Sequence, residues 1–303
     1  MFPNFLPFLQ SVVTNFWTEI AVIVFLFIFR YLGIDFYPKA MSVLHYVQSV
    51  VFSLFGYKKV LLYTDCDDVG TTTRSLKKAV QKQFLSKKFL VSPLTTPEAF
   101  LQYYLSPRHI RAVIVLITDV TTLSSDIKKR EKIQTKLVSF CHKGGILILG
   151  HDTIYRRAKN DKLQKLAGCT LTNFIRTKKP IKYTKNINID IKRKTSCSMF
   201  LDQLPDEFYL NDGECIHGNW CDDVEFIYVC DGTIGSRKLK VPLVTRRTAG
   251  DGIVCWLNSA DHDEYGPPEP IAAPSKEFTA VLCTIILYSK DVLAAASVEK
   301  QQN

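Results

Sequence analysis

The stretch Cys141-His142-Lys143-Gly144-Gly145-Ile146-Leu147-Ile148-Leu149-Gly150-His151-Asp152-Thr153 constrains this chain more than any other. It reads as a helix end, a paired-glycine turn, a strand and a sharp loop. Four apolar residues bounded by glycines suit a strand covered on both faces, as parallel strands are. In open α/β sheets the loop after such a strand is where ligands bind and chemistry takes place. A nucleophile elbow puts Ser or Cys there between small residues. Here the loop is Gly150-His151-Asp152-Thr153, so the place is that of an active site and the expected nucleophile is missing.

Strand and helix patterns alternate around this stretch. Val60–Tyr63 reads as a strand ending in the polar loop Thr64–Gly70, and Thr71–Phe84 follows as a helix with Leu76, Val80 and Phe84 on one face. Phe89–Val91 is a second strand, and Thr96-Pro97-Glu98 opens a helix reaching about Leu105. Ala112–Ile117 is the clearest buried strand, and Asp126–His142 is a long charged helix closed by Gly144. This alternation predicts βαβ units, hence an α/β fold with a mostly parallel sheet flanked by helices. From about residue 170 to 250 the texture turns β-rich. The alternating Ile187–Ile191 suggests an exposed strand or hairpin, and Glu225–Cys230 and Val241–Thr245 read as strands, with turns at Asp231-Gly232 and Ala249–Gly252. Ile253–Leu257 is a last strand, Phe278–Tyr288 a closing apolar helix, and residues 291–303 a frayed tail.

Residues 1–57 stand apart. Ile20 to Phe29 is an unbroken apolar run containing Val22, Val24, Phe25, Leu26 and Phe27, with Glu19 before it and Arg30 after it. Phe16–Tyr37 reaches the length of about 20 residues that a bilayer span needs, with Trp17, Tyr31 and Tyr37 suited to the interfaces. Met41–Phe55 reads as an amphipathic helix. A cleaved signal peptide would carry a basic start, and no Lys or Arg precedes Arg30. An N-terminal hydrophobic helix acting as a single membrane anchor is therefore expected, with an interfacial or buried helix as the other reading. Arg30, Lys39, Lys58 and Lys59 follow the run and place the main domain on the cytoplasmic side. The nine cysteines, odd in number and scattered through apolar runs, suit a reducing compartment. The net charge of +10 is compatible with an anionic membrane surface. The basic groups are spread out without interleaved aromatics, so nucleic acid is not expected as a partner.

Over roughly residues 58–290 the order of elements resembles the class I glutamine amidotransferase-like fold, itself flavodoxin-like, with the β-rich segment as an insertion. Val60-Leu61-Leu62-Tyr63, Lys143-Gly144-Gly145, Val241-Pro242-Leu243-Val244-Thr245-Arg246 and Gly252-Ile253-Val254-Cys255 make it most similar to the N-terminal, non-ligase region of eukaryotic biotin-protein ligases (holocarboxylase synthetases). No glycine- and arginine-rich biotin-adenylate loop occurs, so the resemblance does not imply ligation by this chain alone. In the amidotransferase family an elbow Cys works with a His and a Glu in an H-x-E motif, and His262-Asp263-Glu264 stands at the matching place.

An acid near a His orients the ring and stabilises its charged form. Without a nucleophile such a pair forms no acyl-enzyme. His151, Asp152, His262 and Glu264 are the candidate site residues, either as a relic, as a working site or as a two-His, carboxylate cluster that holds an anion or metal. Cys66 follows the first strand, but Asp65, Asp67 and Asp68 around it disfavour a thiolate. Cys215, His217, Cys221 and Cys230 match no standard zinc spacing. No cofactor is expected. Three readings remain: a membrane-tethered regulatory module that binds a protein partner or small ligand, a hydrolase of the same fold with altered chemistry, and a truncated product of a biotin-protein ligase.

Overall fold

The computed structural model describes residues 37–64, 89–117, 122–177, 180–186, 204–210, 214–234, 237–258 and 279–287. Two compact units are distinguished. One comprises Met1–Gln48 with Gln102–Tyr104, and the other Ser49–Leu101 with Leu105–Asn303. In the first, His45 stacks on Tyr103 at 4.2 Å between ring centroids, and Tyr46 meets Tyr104 edge-on at 5.4 Å.

The second unit is built on a nine-stranded sheet in the order β2-β1-β3-β4-β11-β10-β9-β6-β7. The strands are β1 Lys58–Thr64, β2 Phe89–Leu94, β3 Ile110–Ile117, β4 Ile146–His151, β6 Ile181–Lys185, β7 Glu207–Leu210, β9 Glu225–Ile234, β10 Arg237–Ala249 and β11 Gly252–Leu257. A separate pair joins β5 Cys169–Arg176 to β8 Glu214–Trp220. The helices are α1 Tyr37–Leu54, α2 Ala99–Gln102, α3 Ile127–His142, α4 Asp161–Ala167 and α5, residues 279–287.

The sheet corrects the expectation of a mostly parallel architecture. β2, β1, β3, β4 and β11 are parallel, in the order of a doubly wound flavodoxin-like sheet. Beyond β11 the same sheet runs antiparallel through β10, β9, β6 and β7. The β-rich segment read as an insertion thus supplies the other half of the sheet. Short connections explain the change of sense, because antiparallel neighbours need only a hairpin whereas parallel ones need a crossover. β10 and β11 are joined by Gly250-Asp251 alone, with Gly250 at φ 60°, the conformation a two-residue hairpin takes at its first central position. Asp231-Gly232, read as a turn, lies inside β9.

The expected membrane anchor is also corrected. Among the described residues no helix is long and apolar enough to cross a membrane. The helix Tyr37–Leu54, which takes in all but the last residue of the segment Met41–Phe55 read as amphipathic, does not meet that requirement. The run from Ile20 to Phe29, with Val22, Val24, Phe25, Leu26 and Phe27, lies outside the described residues, as do the expected helix Thr71–Phe84 and the alternating Ile187–Ile191. A single-pass localisation with a cytoplasmic main domain therefore has no support from the fold.

Burial follows the strand patterns. β4 and β11 are buried along their whole length, and the core runs from Val60 and Ile114 through Ile148 and Cys255 to Leu243 and Tyr183. α3 buries Ile133, Leu137, Phe140 and Cys141, which recur at helical spacing along one side of it. Asp126 caps it by accepting from Lys128 N at 2.8 Å and Lys129 N at 3.1 Å. α5 is held by Arg111 of β3, whose Nε and Nη2 donate to Ile286 O and Leu287 O, each at 2.8 Å.

The Lys-Gly-Gly turn before β4 dovetails with the β10–β11 hairpin. Asp251 N donates to His142 O at 3.0 Å and Ile253 N to Gly145 O at 3.1 Å. A Cβ on Gly252 would run into the backbone oxygens of Cys141 and Gly145. Those atoms belong to the α3 end and the turn and cannot swing aside. Gly252→Ala is accordingly expected to cost about 1–3 kcal/mol, the usual penalty of overpacking, read as a fall in the urea midpoint with the slope unchanged.

Candidate functional site

The elbow at the carboxyl end of β4 is assembled from neighbours on both sides. β4 pairs with β3 through Ile117 opposite His151, and with β11 through Leu257 opposite Gly150. Gly150 is required by contact, since a Cβ there would meet the Leu116 side chain at 2.6 Å and its Cα at 3.1 Å. The strand runs on to His151, and Asp152–Ile154 turns at once into a 3-10 turn, followed by another at Arg156–Ala158. The loop read from sequence is thus a strand end and a buried turn.

His151 is 0% exposed and Asp152 2%, with Nδ1 2.9 Å from Oδ1. The His151 ring stacks on Phe174 of β5 at 5.8 Å and 19° between planes, and Tyr155 packs against the same Phe174 at 4.2 Å. The His151 carbonyl accepts the indole N–H of the fully buried Trp256 at 3.0 Å. Next along the turn, Thr153 Oγ1 donates to Val115 O at 3.2 Å, and Asn160 Nδ2 donates to Thr153 O at 3.2 Å. Backbone and side chains of the elbow are therefore bonded into the strands beside them.

Asn160 stands at the N-cap of α4 but makes no side-chain hydrogen bond to it. Its side chain serves the elbow instead, and α4 is capped from another element. Gln134 of α3, fully buried, accepts from Lys162 N at 2.9 Å and donates through Nε2 to Lys159 O at 3.2 Å. Lys159 takes the left-handed conformation at φ 54°, which reverses the chain between the 3-10 turn and α4. Arg247 of β10 closes the other end of α4, donating to Lys165 O at 2.8 Å and Leu166 O at 3.1 Å while its Nε meets Asp223 Oδ2 at 2.9 Å.

The small β5–β8 sheet is fastened over this region by two polar nodes. Thr172 Oγ1 donates to Ile154 O at 3.3 Å and accepts from Arg156 N at 2.7 Å and from Gln164 Nε2 at 3.3 Å. Asn258, just after β11, accepts from Ile216 N at 3.0 Å and donates to Glu214 O at 2.9 Å. Neither β5 nor β8 was legible in sequence, because Thr170, Asn173, His217 and Asn219 interrupt their apolar pattern. Thr172 and Asn258 carried no motif, so the residues that hold the cover in place were missed too.

Chemically, a carboxylate 2.9 Å from an imidazole nitrogen orients the ring, which is half of a triad's work. The elbow position that a Ser or Cys would fill is taken by His151 itself. His262 and Glu264 lie outside the described residues, as does Cys66. Cys221 is exposed, whereas Cys215 and Cys230 are buried with Sγ atoms 3.8 Å apart. His217 is held below the usual imidazole range by burial. Among the described residues no group of three or more His, Cys, Asp or Glu is placed to hold a metal ion.

No protein-family model matches the chain, and no curated protein matches it. Solved structures do. A ThuA-like protein from Bacteroides uniformis is 13% identical, with 78% of this chain and 91% of that one covered at a TM-score of 0.46. A ThuA-like protein from Parabacteroides merdae is 12% identical, with 75% and 88% covered at 0.49. A cytoplasmic protein from Salmonella typhimurium is 10% identical, with 75% and 98% covered at 0.48. The match to the amidotransferase-like architecture of the ThuA-like proteins is coarse and concerns fold alone. These neighbours include no biotin-protein ligase, which corrects the resemblance to that family's N-terminal region and leaves the reading as a truncated ligase without support.

Thr172→Val keeps the shape of the side chain and removes its hydroxyl, leaving Ile154 O and Arg156 N without that partner. A loss of about 1–3 kcal/mol per stranded buried group is expected, measured by chemical denaturation. Thr170→Val, on an exposed position of the same strand, should change stability by less than about 0.5 kcal/mol.

Proposed function

We propose that this chain is a non-catalytic module of amidotransferase-like architecture, which binds a protein partner or small ligand rather than turning over a substrate. The observation that carries this reading is the complete burial of His151 at the elbow, paired to Asp152 and stacked under Phe174. A nucleophile or base at an elbow must reach a reacting atom within about 3 Å. Here the position is occupied by ring stacking and backbone hydrogen bonds. A buried ionisable pair of this kind costs desolvation and adds little stability over an apolar pair, yet removing one partner is strongly destabilising. The pair therefore acts as a registration device for the strand end.

The alternative, a hydrolase with altered chemistry, draws on the same 2.9 Å contact between His151 and Asp152, since a base held by a carboxylate is the core of an acid–base site. Burial tells against it.

Activity and stability assays separate the two. The purified chain is offered glutamine and an activated ester, and His151→Gln is compared with it. The binding module shows no turnover above buffer, and His151→Gln unfolds at lower denaturant, with a loss on the order of 3–5 kcal/mol if Asp152 is left unpaired. Turnover that His151→Gln abolishes while stability is retained would establish the hydrolase instead.

A further inference from the structure

Two cysteines left without a role by the elbow lie side by side. Cys215 of β8 and Cys230 of β9 have their Sγ atoms 3.8 Å apart, and both side chains are buried. Their strands belong to different sheets, β8 to the small pair and β9 to the nine-stranded sheet. We propose that Cys215 and Cys230 form a redox pair in which a hydroperoxide converts the two thiols into a disulfide that fastens the small sheet to the large one.

The geometry divides the roles. Cys230 is 7% exposed and Cys215 0%, so Cys230 is the sulfur nearer to solvent and meets the peroxide first. The hydrogen bond between the two thiols holds Cys230 below its ordinary range, against the opposing effects of burial and of Asp231, and Lys240 acts in the same direction as that bond. A lowered thiol supplies more thiolate, the form that reacts. The Cys230 thiolate attacks one peroxide oxygen. An S–O bond forms, the O–O bond breaks, and hydroxide leaves as water after taking a proton, giving a sulfenic acid. Cys215, as it loses its proton, then attacks the Cys230 sulfur. The S–S bond forms, the S–O bond breaks, and a second water leaves. Two thiols and one hydrogen peroxide give one disulfide and two waters. A small-molecule dithiol reverses the step by exchange.

The link would join what is now held by side-chain hydrogen bonds. Asn258 ties Ile216 N and Glu214 O, the neighbours of Cys215, to the end of β11. Phe174, which covers His151, sits opposite Ile216 in the β5–β8 pair. Oxidation would therefore lock the cover of the elbow to the main sheet. The link closes a short loop, because 15 positions separate the two cysteines. This inference does not depend on what the module binds.

The test uses the full chain, reduced and then treated with one equivalent of hydrogen peroxide, blocked with iodoacetamide and digested. The expected result is a cross-linked peptide pair joining Cys215 to Cys230, with the loss of two hydrogens in intact mass, reversed by dithiothreitol. The oxidised chain should also melt higher by roughly 5 °C or more, as a loop of this length predicts. Cys221→Ala should retain the link, and Cys215→Ala and Cys230→Ala should each lose it. Since the mapping is read on the unmutated chain, it does not depend on the folding of the variants. Alkylation of both thiols after peroxide, a link between other cysteines, or a link that leaves the melting temperature unchanged would overturn the proposal.

Discussion

β11 holds the two halves of the sheet together, and everything at the elbow depends on it. It pairs in parallel with β4 on one side and antiparallel with β10 on the other. All six of its residues are buried. Its start is fixed by the hairpin at Gly250-Asp251 locking into the turn at Gly144-Gly145, and its end by Trp256, whose indole N–H reaches the carbonyl of His151. Because the side-chain period of a strand is two, a slip of one residue would turn Trp256 to the other face of the sheet. The glycine contacts at one end and the indole bond at the other set the register against such a slip.

That register places the elbow under a cover. The chain leaves His151 through the buried 3-10 turn Asp152–Ile154 and a second turn that exposes Arg156 and Arg157, reverses at Lys159, forms α4 and returns as β5 with Phe174 over the imidazole. Every step is secured by polar groups working across elements: Gln134 for α4, Asn160 for Thr153 and Thr172 for the turn. Such networks are rigid when satisfied and costly when broken. At the elbow these polar groups bond the turn to the elements around it.

The strands of the parallel half were legible because fully buried β-strands read as continuous apolar runs. Val60–Tyr63, Ala112–Ile117 and Ile146–Leu149 each fall inside an observed strand, and the Ala249–Gly252 turn is where β10 and β11 reverse. The sheet's antiparallel half was misplaced as an insertion because local pattern does not say which sheet a strand joins. β5 and β8 escaped notice because polar residues break their alternation, and Thr172 and Asn258 escaped because single polar residues acquire meaning only from distant partners. His151 and Asp152 were found from position alone. Their neighbours in space, Phe174 and Trp256, lie 23 and 105 positions from His151, so the closure of the elbow could not be read along the chain.

His151 is sealed in the folded chain, and its reactivity toward diethyl pyrocarbonate, mapped residue by residue by mass spectrometry, reports on that burial. His142, exposed at the end of α3, is the internal reference. Rapid modification of His142 is expected, and none at His151 until the chain is unfolded. Modification of His151 in the folded chain at a rate close to that of His142 would contradict it.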